Sequence, residues 1–401
     1  MPVPRLKPAV RPAILSYGFR PFFLAGALYA ALSVLLWLPQ YYGELALHSA
    51  FAAIDWHIHE LLFGYLSAVM TGFLLTAIPN WTGRLPLQGK PLLLLVALWA
   101  GGRLAVTFSA DIGWLPAALV DCSFLAAVTL AAGREIVAGR NWRNLKVLVA
   151  VGILLIANIG FHLEAHYAGL SDVSRRLGIG GAILLIMMVG GRIIPSFTRN
   201  WLAQEGSARL PVPFGRFDIV SIAVAAAALI LWIAMPDAAF TGLAMAGAAF
   251  LQMARLARWT GLRTLANPIV FVLHAAYAFV PAGFALLALS IFRAGVPAAA
   301  GIHALGAGAI GTMTLAVMVR ATLGHTGQPI AGGYAGSAIF CAVAASALLR
   351  IAAVFAPAEA MGVLLHASAC LWVAAFAGFA LRFGPSLARP RRTSAHPAAP
   401  Q

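Results

Sequence analysis

The chain has 401 residues, of which 62% are hydrophobic and only 10% charged, with a formal net charge of +15. A soluble domain of this composition would expose apolar patches far larger than water tolerates, so lipid must be the solvent for most of its surface. Hydrogen-bond satisfaction in lipid leaves helices or closed barrels, and the apolar segments here lack the alternation of a barrel strand, which predicts an all-α polytopic bundle.

The excess of basic residues does not point to nucleic acid, because they stand at the ends of apolar segments rather than in an aromatic-interleaved patch. Cys122, Cys341 and Cys370 lie in apolar stretches with neither CxxC nor CxxCH spacing. That spacing argues against a disulfide framework, a thiolate cluster and covalently attached haem.

In chain order, the proline-rich basic start MPVPRLKPAVRPA precedes no small-residue cleavage site, so the apolar segment after it is expected to be kept as the first helix. Hydropathy then predicts twelve spans, near 20–39, 57–79, 90–108, 114–132, 145–167, 176–198, 217–235, 239–258, 267–290, 300–322, 331–355 and 359–382. Residues 1–384 read as one transmembrane domain, and the proline- and alanine-rich 385–401 as a disordered cytoplasmic tail. With the N-terminus inside, all 27 lysines and arginines except Arg103, Arg175, Arg176, Arg293 and Arg350 fall on the cytoplasmic side. The positive-inside bias therefore predicts cytoplasmic N- and C-termini. Short echoes close spans two, six and ten (Pro79 to Arg84, Pro195 to Arg199, Arg320 to Thr322) and suggest a four-helix repeat.

Ionisable groups inside apolar spans cost about 2.5–3.5 kcal/mol each on insertion scales, so each needs a partner or a purpose. Histidine is the informative type. His57, His59, His162, His166, His303 and His366 all fall toward the outer ends of their spans, within roughly 10 Å of one interface at a rise of about 1.5 Å per residue. Imidazoles at one depth suit copper, haem iron or zinc, and His57, His59, His162 and His303 are the candidate metal ligands. His57 and His59 would share a direction in an extended entry segment but diverge on a regular helix. Glu60 and Glu164 flank these histidines and are candidate catalytic groups, orienting them or moving protons; pairing with Arg103 or Arg176 is their plainer role. Toward the cytoplasmic side, His274, His325, Arg192 and Arg320 are candidate cofactor-binding residues, the arginines lying in glycine-rich surroundings that could admit an anionic group such as a haem propionate.

Long strings of this chain resemble the NnrS family: YGFRPFFL from Tyr17, WHIHELLFG from Trp56, GFLLTAIPNWTGR from Gly72, GGRIIPSFTRN from Gly190, and the run from His303 to Gly327. The resemblance implies a bacterial inner-membrane protein that contains haem and copper and is associated with denitrification and protection against nitric oxide. His57, His59, His303 and His325 lie within the matching strings, and His162 and His274 in looser ones. On this reading a b-type haem and copper serve a centre near the periplasmic face that handles nitric oxide, a small apolar gas that enters from the bilayer. The protein would either reduce it, as a nitric oxide reductase-type oxidoreductase fed by an unidentified electron donor, or relieve nitrosative damage. The rival reading is a transporter of copper, haem or a metal complex, with the histidines as transient ligands from one side to the other.

Overall fold

The computed structural model describes residues 12–391. Twelve helices in it are long and apolar enough to cross a membrane: α1 (Phe19–Tyr41), α2 (Ala53–Thr82), α3 (Lys90–Thr107), α4 (Trp114–Ala138), α5 (Val147–Tyr167), α6 (Asp172–Gln204), α7 (Arg216–Ala234), α8 (Ala239–Ala257), α9 (Pro268–Phe292), α10 (Ala298–His325), α11 (Gly333–Phe355) and α12 (Ala358–Ala388). No strand occurs among the described residues. An even number of crossings returns the chain to the side from which it set out.

Several helices run beyond the hydropathy windows, because a window detects the hydrocarbon-embedded part and not the polar turns that continue it. The clearest case is α12, which passes through Pro385 and ends at Ala388. The carbonyls at its end lack N–H donors within the helix, and the Arg20 guanidinium supplies them: Nη1 donates to the carbonyls of Leu387 at 2.8 Å and Arg389 at 2.6 Å. The expected disordered tail thus begins as helix, and residues 392–401 lie outside the described part.

Chain neighbours pack side by side from α3 through α12, and α12 returns to pack on α1. Three helices are drawn into the middle. Within its most apolar stretch α2 is 83% buried and α9 and α10 each 67%, against 33% for the lipid-facing α7, α8 and α11. Of these, α2 and α10 form a central pair, tied by the hydrogen bond between the Tyr65 hydroxyl of α2 and Thr314 of α10.

Both central helices have the same internal plan. In α2 the α-helix runs from Ala53 to His59 and widens into a π-helical stretch over Glu60–Leu66; in α10 it runs from Ala298 to His303 and widens over Ala304–Gly311. A histidine therefore stands immediately before each widened stretch. Such departures from regular winding gather at functional sites, since they cost backbone regularity that packing alone does not require. The correspondence covers α2 and α10 but not α6, which is an unbroken α-helix over Asp172–Gln204, so the expected repeat of spans two, six and ten holds for two of the three in this respect.

Arg255, which the charge pattern places at the inner end of its span, is fully buried between helices. Its Nε donates to Asp218 Oδ1 at 2.8 Å, and its Nη1 donates to the Met187 carbonyl at 3.0 Å and to the Tyr277 hydroxyl at 2.8 Å. Tyr277 in turn donates to Gln252 at 2.6 Å. Gly191 makes room for the guanidinium, because a Cβ there would lie 1.8 Å from Nη2. Removing one partner of a buried ion pair strands the other charge in a low-dielectric interior. Asp218→Ala is expected to lower stability by about 3–5 kcal/mol, read as thermal unfolding in detergent, whereas the double replacement Asp218→Leu with Arg255→Met recovers much of the loss.

Candidate metal centre

Four helices deliver polar side chains to one buried point near the start of α2. α2 brings His59 and Glu60, α3 Arg103, α4 Asp121, and α5 Asn158 and His162, all of them buried. One ligand atom each from His59, Asp121 and His162 lies within 4.8 Å of the others. Two imidazoles and a carboxylate from three separate helices are a donor set that binds first-row transition metals.

The surrounding groups fix these donors in place. His59 Nδ1 faces Glu60 Oε1 at 2.9 Å, and Nε2 faces Asn158 Oδ1 at 2.9 Å and Asp121 Oδ2 at 3.2 Å. His162 Nε2 stands 3.1 Å from the same Asp121 oxygen, to which Asn158 Nδ2 donates at 2.8 Å. Arg103 bridges the carboxylates, donating from Nη1 to Glu60 Oε2 at 2.6 Å and from Nη2 to Asp121 Oδ1. The Tyr29 hydroxyl also donates to Glu60 Oε2. A carboxylate behind a histidine, as Glu60 stands behind His59, sets the ring's orientation and raises its basicity as a ligand. Glu60 thus pairs with Arg103, its plainer role, and faces the His59 ring at the same time.

The charge count is informative. Every atom facing the two nitrogens of His59 is an acceptor oxygen, so with no metal both nitrogens must carry protons to be satisfied. The imidazolium and Arg103 then balance Glu60 and Asp121, and the buried cluster is neutral. Phe51, Phe63 and Phe161 pack their rings within 5.0–5.2 Å of His59, measured between centroids, and wall the cluster from water.

Glycine lets the helices approach closely enough. A Cβ at Gly64 would come within 2.8 Å of Arg103 Nη1 and 3.0 Å of Glu60 Oε2, and one at Gly102 within 2.8 Å of Asp121 Oδ1. The Trp99 indole N–H donates to the Gly64 carbonyl at 2.9 Å, where the widened turn of α2 passes.

The other candidates fall in different places. His57 lies two residues before His59 on a helix that begins at Ala53, so the extended entry that would have aimed both rings one way does not form, and the pair diverges. His57 joins His303 on a separate cavity. Glu164 accepts from the Val173 amide at 3.0 Å and from the Ser174 hydroxyl at 2.9 Å, serving as the cap of α6. Arg176 pairs with Asp172 at 2.8 Å. His166 stacks on Trp114 and His366 on Tyr42, both exposed. On the opposite side, the four candidate cofactor residues are dispersed. His274 Nε2 is 2.7 Å from Thr198 Oγ1, while its Nδ1 is buried beside Gly261 without a hydrogen-bond partner among the described residues. His325 packs against Tyr17 and Phe19, Arg192 lies over Phe214, and Arg320 lies 3.6 Å from the centroid of Phe197.

Sequence reasoning passed over Asp121 and Asn158. The signal for Asp121 was present: it is the sole charged residue in WLPAALVDCSFLAAVTLAAG, seven positions into α4, and an acid at that depth demands a partner.

Crowding around the glycines yields a direct test. Gly64→Ala is expected to cost about 1–3 kcal/mol in detergent thermal unfolding through overpacking. Gly247→Ala, where no neighbour lies within 4 Å of the added methyl, is the control and leaves the transition unchanged.

A search of the curated proteins found no match. The family model described as NnrS protein matches residues 13–391, nearly the whole chain. The match takes in α2 and the helices that supply Arg103, Asp121, Asn158 and His162, and the chain belongs to the NnrS family.

Proposed function

We propose that this chain is a haem- and copper-binding protein of the bacterial inner membrane, with both termini cytoplasmic, that acts on nitric oxide at a histidine-ligated centre near the periplasmic face. The observation that supports this most directly is the buried convergence of His59, Asp121 and His162, with ligand atoms within 4.8 Å of one another. The donor chemistry fits copper: imidazole is a preferred ligand, and thiolates are not required.

Charge adds to the fit. A monovalent cation that takes the place of the His59 Nε2 proton leaves the buried cluster neutral, whereas a divalent one leaves it with an extra positive charge. Burial in a low-dielectric interior favours the neutral arrangement, which points to copper(I) over zinc. Copper bound there would supply a redox-active Lewis acid for a diatomic ligand. The chain's own residues do the rest. Glu60 and Arg103 hold His59 and Asp121 in register, the three phenylalanines exclude water, and the lipid delivers an apolar gas directly to the wall of the bundle. Glu60, joined to both His59 and Tyr29, is positioned to hold or pass a proton at the centre. Either reduction of nitric oxide with electrons from an external donor or removal of the nitrosylation it causes is compatible with this arrangement.

Transport of a metal complex fits less well. A path across the membrane needs ligands on both sides, and on the side away from the cluster His274 Nε2 is engaged by Thr198 while His325 packs against Tyr17 and Phe19.

Metal analysis of purified full-length protein, with optical spectra before and after nitric oxide addition, tests the proposal. Copper near one per chain is expected in the wild type and in Glu164→Gln, and its loss in His59→Ala, Asp121→Ala and His162→Ala. Copper retained by all three ligand variants, or iron or zinc in its place, sinks the assignment. Consumption of nitric oxide with an artificial reductant separates turnover from storage or sensing.

A further inference from the structure

A second centre lies on the other side of α2. α1, α2, α6, α10, α11 and α12 line a cavity of about 380 Å³, within the range of small-molecule and cofactor sites. Its walls are chiefly apolar, with His57 and His303 among the few polar groups. His57 Nδ1 and His303 Nε2 are both buried and without a hydrogen-bond partner among the described residues. A buried imidazole nitrogen left unpaired is costly unless something arrives to use it. Here two such nitrogens come from the two central helices, each within the last turns before the winding widens, and the two rings lie within electrostatic reach of each other.

The cavity is also built to orient a flat molecule. His57 stacks on Trp37 with centroids 4.1 Å apart and planes 23° apart, which fixes its ring. Arg350 lines the same space, its guanidinium 5.9 Å from the Trp37 centroid, and no carboxylate among the described residues pairs with it. Arg350 lies five residues before the end of α11, at the end of the bundle where α2 and α10 begin. An unpaired cation at the mouth of an apolar cavity calls for an anionic edge on the ligand.

We propose that this cavity is the haem pocket, with His57 and His303 as the axial imidazoles and Arg350 as the partner of a propionate. The ligand class follows from the parts: a planar apolar body for the walls, a metal for two neutral imidazoles, and a carboxylate for Arg350. With no CxxCH in the sequence, the haem is of b type and held without covalent bonds. This rests on the reading above that the protein binds haem, and it moves that haem away from His274, His325, Arg192 and Arg320.

The test uses full-length protein purified in detergent. Haem content by pyridine haemochrome and optical and paramagnetic resonance spectra are recorded for the wild type, His57→Gln, His303→Gly, Arg350→Gln, His274→Ala and His325→Ala. The expected result is a low-spin bis-imidazole haem in the wild type, His274→Ala and His325→Ala. Loss of haem or a shift to a five-coordinate high-spin spectrum is expected in His57→Gln and His303→Gly, with added imidazole restoring the low-spin form in His303→Gly. Arg350→Gln keeps the low-spin spectrum with a lowered reduction potential, since loss of the cation favours the ferric state, or with weakened haem retention. Copper content is unchanged in the His303 variant, which shows that the protein is folded. A haem whose low-spin spectrum survives both histidine substitutions overturns this assignment and leaves the reading of a haem protein intact. A wild type without haem, or one that yields a quinone or lipid from the cavity instead, overturns both.

Discussion

Two carboxylates, Glu60 and Asp121, lie fully inside an apolar bundle, and one guanidinium holds them there. Neither acid could be buried alone, since an unpaired charge in such an interior costs several kcal/mol even after relaxation. Arg103 lowers that cost for both by reaching one with each terminal nitrogen. Its demand propagates outward. Gly64 and Gly102 must be glycine so that α2 and α4 can approach it, Tyr29 of α1 must supply a hydroxyl, and Asn158 must spend its amide on Asp121 and its carbonyl on His59. Five helices are thus fixed against one another by a polar cluster rather than by apolar contact, which in lipid discriminates poorly between one helix packing and another.

The architecture was largely legible because lipid imposes it. Twelve apolar stretches leave the chain few alternatives, and each observed helix either extends past the span read from hydropathy or ends within two residues of it. The site was legible in part. Histidines at a common depth pointed to one end of the bundle, and His59 and His162 do meet there. Their third partner was hidden because Asp121 is one acid in an otherwise uncharged predicted span, and the reading followed residue type, histidine, rather than residue cost. The grouping of His57 with His59 turned on whether the chain enters α2 extended or helical, and a starting point six residues before His59 decides that question against a single site.

Glu164 and Arg255 teach the complementary lesson. Each carries a charge where function or topology would serve as an explanation, and each is instead bound into the frame: Glu164 caps the first turn of α6, and Arg255 joins α6, α7, α8 and α9 through Met187, Asp218 and Tyr277. Position along the sequence cannot separate such roles, because a helix presents a new direction every 100° or so and the partner comes from a distant segment. What distinguishes the candidate metal cluster from these frames is the surplus of acceptors around His59, a ring whose two nitrogens meet oxygen on every side.

The divergence of His57 and His59 has a mechanical consequence. Residues two apart on a helix point roughly 200° apart, so no rotation of α2 can turn both rings toward one point. Any rotation that brings His59 deeper into the cluster of Asp121 and His162 swings His57 within its cavity in the opposite sense relative to Trp37. The two centres are therefore separated by about one helix diameter, ~10 Å, and share a single rigid wall. That wall widens at Glu60, one residue after His59, where the helix is least regular and a small change of winding is least costly. Cluster and cavity thus lie on opposite sides of one helix, and what they have in common is its backbone.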